Sequence, residues 1–212
     1  MFDIEYKGGN TVVIGTRNST VIFNPRRSVF GAKDMSVKQA IEVATEARFA
    51  INSVDAMLSI EGPGEYEVGD FSIKGVAAIR HIDTDADGNR ATIYRLEVGD
   101  TRIAVLGNIS PTLSESQLEE IGVIDMLIIP VGGGGYTLDA TSASSLVRQI
   151  EPTVVIPVHY ADPDLSYEVP QDGLDEFIRE LGVPVERSGL KLKVKSQSQS
   201  PSTLTIVVVD RS

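Results

Sequence analysis

The order of hydrophobic patterns along the chain restricts its fold more than any single motif. Up to Leu106 the apolar residues come in short, β-branched runs separated by turn residues; from Ser114 onward such runs alternate with stretches of helical period. Residues 11–14 and 20–23 read as strands joined through Arg17-Asn18-Ser19. Within residues 35–49, Val37, Ile41, Ala44 and Ala47 or Arg48 follow one another by three or four, which predicts a helix. Residues 57–60 read as a strand running into the Gly62-Pro63-Gly64 turn, and residues 71–73 and 76–79 continue the strands. Residues 92–98 and 102–106 flank Gly99-Asp100 as a hairpin.

In the second half, Ser114 with Gln117 forms a capping-box signature, and Gly122 stops that short helix. Residues 126–131 and 153–157 are continuous apolar runs suited to buried strands. Asp139 is placed to cap a helix that reaches Ile150 and ends before Pro152. Residues 172–181 read as a helix stopped by Gly182, and residues 190–195 and 204–209 as a terminal hairpin across the polar loop SQSQSPS. Hairpins followed by strand–helix alternation predict mixed sheets with helices outside, and no linker divides residues 1–212, which read as a single domain.

Composition removes several classes. The chain has no cysteine, which excludes a disulfide scaffold, a zinc finger and a thiol nucleophile, and sits easily with a cytoplasmic location. Acids in Met1-Phe2-Asp3-Ile4-Glu5 stand where a signal peptide carries basic residues. No apolar stretch approaches the roughly 18 residues of a membrane helix. The formal charge of −11 disfavours nucleic acid, and Arg26-Arg27 with Lys33 and Lys38 is too sparse a basic cluster to reverse that.

Several segments, taken in order, carry a resemblance. They are GPGEYEV at residues 62–68 followed by Phe71-Ser72-Ile73-Lys74-Gly75; Thr92-Ile93-Tyr94-Arg95 with Arg102-Ile103-Ala104; Leu127-Ile128-Ile129-Pro130-Val131-Gly132-Gly133; and Ile150-Glu151-Pro152 with Val155-Ile156-Pro157-Val158-His159-Tyr160. This ordered set resembles the metallo-β-lactamase superfamily, in particular its small zinc-dependent hydrolase-like branch. The resemblance implies a four-layer αβ/βα sandwich of α/β (α+β) class, two mixed β-sheets with outer helices. It also implies a metal cleft built from loops at one edge, where imidazoles and carboxylates would activate a water on zinc.

Matched to that family, most of the metal-binding positions have changed. The H-x-H-x-D-H motif falls on residues 46–51, so its liganding positions hold Glu46, Arg48, Ala50 and Ile51. Arg48 stays protonated, and Ala50 and Ile51 carry no donor atom. The early Gly-His-Ser corresponds to Gly8-Gly9-Asn10, and the bridging aspartate of Leu-Gly-Asp to Asn108. His81 and His159 match ligand histidines and are the only two histidines of the chain. The resemblance therefore implies a candidate metal set of His81 and His159, with Glu46 and Asn108 as weaker candidates and no catalytic residue assigned. Arg48 is expected either to take part of the space of the missing metal or to point to solvent from the end of the preceding helix, and the two histidines to meet at one edge.

Other features are read more simply. Gly132-Gly133-Gly134-Gly135 lacks the Lys-Ser/Thr of a phosphate loop and reads as a tight turn. The acidic run at residues 83–89 begins like a calcium loop, but Tyr94 stands where the distal glutamate belongs. Glu65 and Glu67 share a strand face and read as surface carboxylates, and no GxSxG elbow is present. The expected function is a non-catalytic binding or scaffold protein that has lost dinuclear zinc hydrolase activity. Its partner is an unknown protein or small-molecule ligand, with no nucleic acid and no membrane; no cofactor is expected beyond zinc at low occupancy, and the oligomeric state is open. The alternative is a weak metal-dependent hydrolase with a mononuclear site at His81 and His159.

Overall fold

Two sheets organise the chain. The structure is a computed structural model that describes residues 1–84, 88–195 and 203–212, with backbone alone at 82–84. The smaller sheet has the order β13 (Leu192–Val194), β1 (Phe2–Gly8), β2 (Thr11–Gly15), β3 (Thr20–Phe23), β4 (Ile41–Ala44) and β5 (Leu58–Glu61). The larger runs β12 (Val185–Arg187), β14 (Thr205–Val208), β11 (Val154–Val158), β10 (Met126–Pro130), β9 (Thr101–Val105), β8 (Gly88–Val98), β7 (Phe71–Thr84) and β6 (Gly64–Val68). Both sheets are mixed: β3, β4 and β5 are parallel, as are β9, β10, β11, β14 and β12, while the remaining pairs are antiparallel.

Each sheet turns one face to the other. Ile4, Ile14, Val21, Phe23 and Val43 of the smaller sheet meet Ile73, Leu96, Ile103, Ile128 and Ile156 of the larger in one buried cluster. The outer face of the larger sheet is covered by α1 (Glu115–Ile121), α2 (Ala140–Ile150) and α3 (Leu174–Leu181). Their ends follow the sequence signals. Ser114 and Gln117 exchange both bonds of a capping box, Asp139 accepts from the Ser142 N–H at 2.7 Å, and Gly182 closes α3 at φ 67°. Outside the smaller sheet, Val13 and Ile22 are covered by Ala40 and Met35 from an irregular loop. The expected sandwich of two mixed sheets with outer helices is present, with all three of the α-helices described on the larger sheet.

Two expected elements differ. The helix expected at residues 35–49 is instead β4 followed by a 3-10 turn at Ala47–Phe49. All four β4 residues are buried, with Ile41 between Val21 and Leu58 in parallel register. A short strand covered on both faces shows no period-two alternation, so its apolar residues, read with their neighbours, imitated a helical spacing. Gln39, at φ 62°, breaks any helical path before it. The expected terminal hairpin is also absent: β13 pairs antiparallel with β1 in one sheet, whereas β14 lies between β11 and β12 in the other. Period-two patterning identifies a strand but not its neighbour. The loop SQSQSPS lies outside the described residues, as do residues 85–87 of the acidic run.

Candidate functional site

The loops at the carboxyl ends of the parallel strands converge at one edge of the sandwich, where open sheets of this kind place ligands. A fully buried Asn24, just after β3, ties them together. Its side-chain oxygen accepts from the Thr45 N–H at 2.9 Å and from the Thr45 hydroxyl at 3.0 Å, and its amide donates to the Asn10 carbonyl at 3.1 Å. Thr45 in turn accepts from the Thr92 N–H at 2.8 Å, which joins the end of β4 to β8 across the two sheets. Tyr94, also buried, accepts from the Gly62 N–H at 2.8 Å where the chain passes from β5 to β6.

Glu46 sits at the centre of this edge with a relative exposure of 4%. The Arg80 Nε lies 2.7 Å from its Oε2, the Arg48 Nε 3.5 Å from the same oxygen, and the Asn108 amide donates to its Oε1 at 2.8 Å. Asn108 is itself held from the other side, accepting from the Asn10 amide at 3.0 Å. Arg48 lies between two rings, with its guanidinium carbon 4.7 Å from the centroid of Phe49 and 4.5 Å from that of Tyr136. It also pairs with Glu168 at 3.5 Å. Arg48 thus stands beside Glu46.

The two histidines reach the same network from opposite ends. The His81 N–H donates to the Asn108 carbonyl at 2.9 Å, and the His159 N–H donates to the Gly9 carbonyl at 2.9 Å, next to Asn10. His159 has 1% exposure and φ 51°, and its ring stacks on Tyr167 and meets Phe30 edge-on, each at 5.2 Å between centroids. Burial, with the Arg48 charge adding to it, lowers its pKa to about 3, so the ring is neutral at ordinary pH. The Nδ1 atoms of both histidines and the Oδ1 of Asn10 are buried with no hydrogen-bond partner among the described residues. No group of three or more His, Cys, Asp or Glu side chains is placed to hold a metal ion among the described residues.

The glycine run after β10 is a tight turn, as its sequence suggests. Gly133, Gly134 and Gly135 have φ between 62° and 75°, and a Cβ on Gly132 would lie 2.2 Å from the His159 carbonyl oxygen. Sequence reasoning missed Arg80, Tyr136 and Asn24. A signal for Arg80 was present: the alternation Val76, Ala78, Arg80 along β7 puts a charge where a core-facing residue is expected, and Arg80 is 4% exposed. Asn24 and Tyr136 gave none, because their importance lies in partners distant along the chain.

Two mixed sheets face to face, with a loop-built edge at the ends of their parallel strands, define the metallo-beta-lactamase class of fold. Residues 3–159 match the family model of the beta-lactamase superfamily domain, and the chain belongs to that family. A UPF0173 metal-dependent hydrolase from Carboxydothermus hydrogenoformans is 28% identical over 102 residues, 46% of this chain and 44% of that protein. The match thus spans less than half of that relative. Among solved structures, a metallo-beta-lactamase superfamily protein from Thermotoga maritima superposes with a TM-score of 0.80 at 24% identity, covering 100% of both chains. A metallo hydrolase from the archaeon Ignicoccus hospitalis gives 0.64 at 14% identity, covering 99% of this chain and 95% of its own. These structural likenesses establish the fold.

Proposed function

We propose that residues 1–212 act as one non-catalytic binding unit, cytoplasmic, in which an ion-pair cluster has replaced the hydrolytic metal centre of the superfamily. The observation that carries this reading is the Glu46 carboxylate, with Arg80 at 2.7 Å and Arg48 at 3.5 Å. A divalent cation at this carboxylate would meet two fixed positive charges, which repel it strongly in a poorly screened site. Asn108 turns its amide N–H toward Glu46 and its oxygen accepts from Asn10, so it offers no anion at the place of the carboxylate. Catalytic zinc ordinarily takes three protein ligands and an open position, and two-metal clamps need a bridging anion. The donors here do not fit that requirement.

The second reading, a mononuclear metal site at His81 and His159, is favoured by one observation: each ring has a buried Nδ1 with no partner among the described residues. Elemental analysis of protein purified from cells, and again after chelation and zinc reloading, separates the two. The expected outcome is substoichiometric zinc and no hydrolysis of ester, lactam or phosphodiester substrates. Stoichiometric zinc that is lost on His81→Ala or His159→Ala, with hydrolysis following it, would replace the first reading by the second.

A further inference from the structure

Beyond β11 the chain passes His159 and Tyr160 and makes a closed excursion over the site. The Ala161 N–H donates to the Asp172 carbonyl at 2.9 Å, so residues 161–172 form a loop whose ends are bonded to each other. We propose that this loop is a lid over the His159 side of the site, lifting as one piece from its bonded ends and carrying Tyr167 and Glu168 away together. The proposal rests on the ion-pair reading in one respect, because Arg48, held beside Glu46, is the group that Glu168 latches on to.

The root of the loop is firm. The Asp172 N–H donates to the Gly132 carbonyl at 2.6 Å, and Arg211 pairs with Asp162 at 2.7 Å and with Asp164. The returning limb lies against the glycine run after β10. A Cβ on Gly132 would fall 2.5 Å from the Gln171 Oε1, and one on Gly134 would fall 2.2 Å from the Pro170 carbonyl oxygen. Bare backbone leaves room for that limb where side chains would not. Pro163 and Pro170 fix two φ angles within the loop, which favours movement as a unit over melting.

The tip is held lightly. Among the described residues, its one backbone hydrogen bond to the rest of the chain runs from the Ser166 N–H to the Phe30 carbonyl at 3.0 Å. Tyr167 stacks on the His159 ring at 5.2 Å and donates its hydroxyl to the Tyr160 carbonyl at 2.8 Å. Glu168 meets Arg48 at 3.5 Å, but its side chain is 57% exposed, so water screens the pair. Closure carries a cost as well: the His159 Nδ1 is buried with no partner among the described residues, and lifting the loop hydrates it. With the loop down, the space that Tyr167 and Glu168 enclose with Phe30, Arg48, Tyr136 and His159 is about 10 Å³, no more than one water fills. A larger ligand reaches the His159 ring only once the lid has opened.

The test uses the full chain and two readouts: exchange of the Ser166 amide hydrogen followed by NMR, and carbethoxylation of His159 by diethyl pyrocarbonate located by peptide mapping. The Ser166 amide is expected to exchange roughly tenfold or more faster than the amides of β11, because the lid opens without unfolding the sheet. Glu168→Gln, which leaves the ring stack in place, should speed both Ser166 exchange and His159 labelling about twofold to fivefold, with β11 unchanged. Tyr167→Ala should speed both by about tenfold or more. If that variant disturbs β11, Glu168→Gln alone decides. Ser166 exchanging in step with β11, or either readout unmoved by Glu168→Gln, would overturn the proposal. Zinc is measured on the same samples. The expected pattern in protein holding stoichiometric zinc overturns the non-catalytic reading alone, and its absence in zinc-free protein overturns the lid alone.

Discussion

A carboxylate as deep as that of Glu46 persists as an anion only where cations and donors replace its water, and Arg80, Arg48 and Asn108 do so here. The same principle, with opposite sign, governs His159. Burial disfavours its charged form and the Arg48 charge adds to that, so the folded ring titrates at about 3, against 6.5 when unfolded. A depressed folded pKa means that the unfolded chain takes up a proton the folded chain refuses. Stability from this group is therefore complete above about pH 6.5 and is lost as the pH falls toward 3, at about 1.4 kcal/mol per pH unit. His159→Phe keeps an aromatic ring against Phe30 and Tyr167 and removes the titration. Urea unfolding at pH 7 and pH 4.5 should show a smaller acid loss in the variant than in the parent. Identical losses would mean that His159 does not titrate in this way.

Among the elements, β4 decides the geometry of the site, because its end delivers Thr45 and Glu46 to the edge. A helix over residues 35–49 would place Val37 and Ile41 on one face, and both would matter for packing. In the structure Ile41 is 1% exposed inside the smaller sheet, whereas Val37 is 39% exposed. Ile41→Ala should therefore cost about 2–5 kcal/mol in chemical denaturation, and Val37→Ala within about 0.5 kcal/mol of nothing. Comparable losses from both would favour the helix. The helices that were legible, α1 and α2, each carry a local cap that satisfies free N–H groups within a few residues. For β4 no such local signal exists, since its partners β3 and β5 supply what holds it.

Across the whole molecule, the last strand lies in the interior of the larger sheet. β14 is fully buried between β11 and β12, and Arg211 beyond it pairs with Asp162 at 2.7 Å. A chain ending at Lys195 would expose both neighbouring strands and much of the apolar surface they bury. It should lose cooperative thermal unfolding and near-ultraviolet circular dichroism. A terminal hairpin on the periphery would instead leave a cooperative core, and survival of that transition would contradict the observed topology. Among the described residues, no helix is long and apolar enough to cross a membrane.

What the sequence determined by itself is whatever rests on neighbours along the chain. This covers the buried runs of β10 and β11, the hairpin turn at Gly99-Asp100 and the capped helices. A cap or a turn is a property of a few consecutive residues. Only the tertiary structure decided which sheet received β13 and β14, that β4 was a strand, and that Arg80 and Tyr136 joined Arg48 around Glu46. Strand pairing and buried ion pairs are contacts between residues far apart in the chain, and their energy depends on burial that only the assembled sheets create.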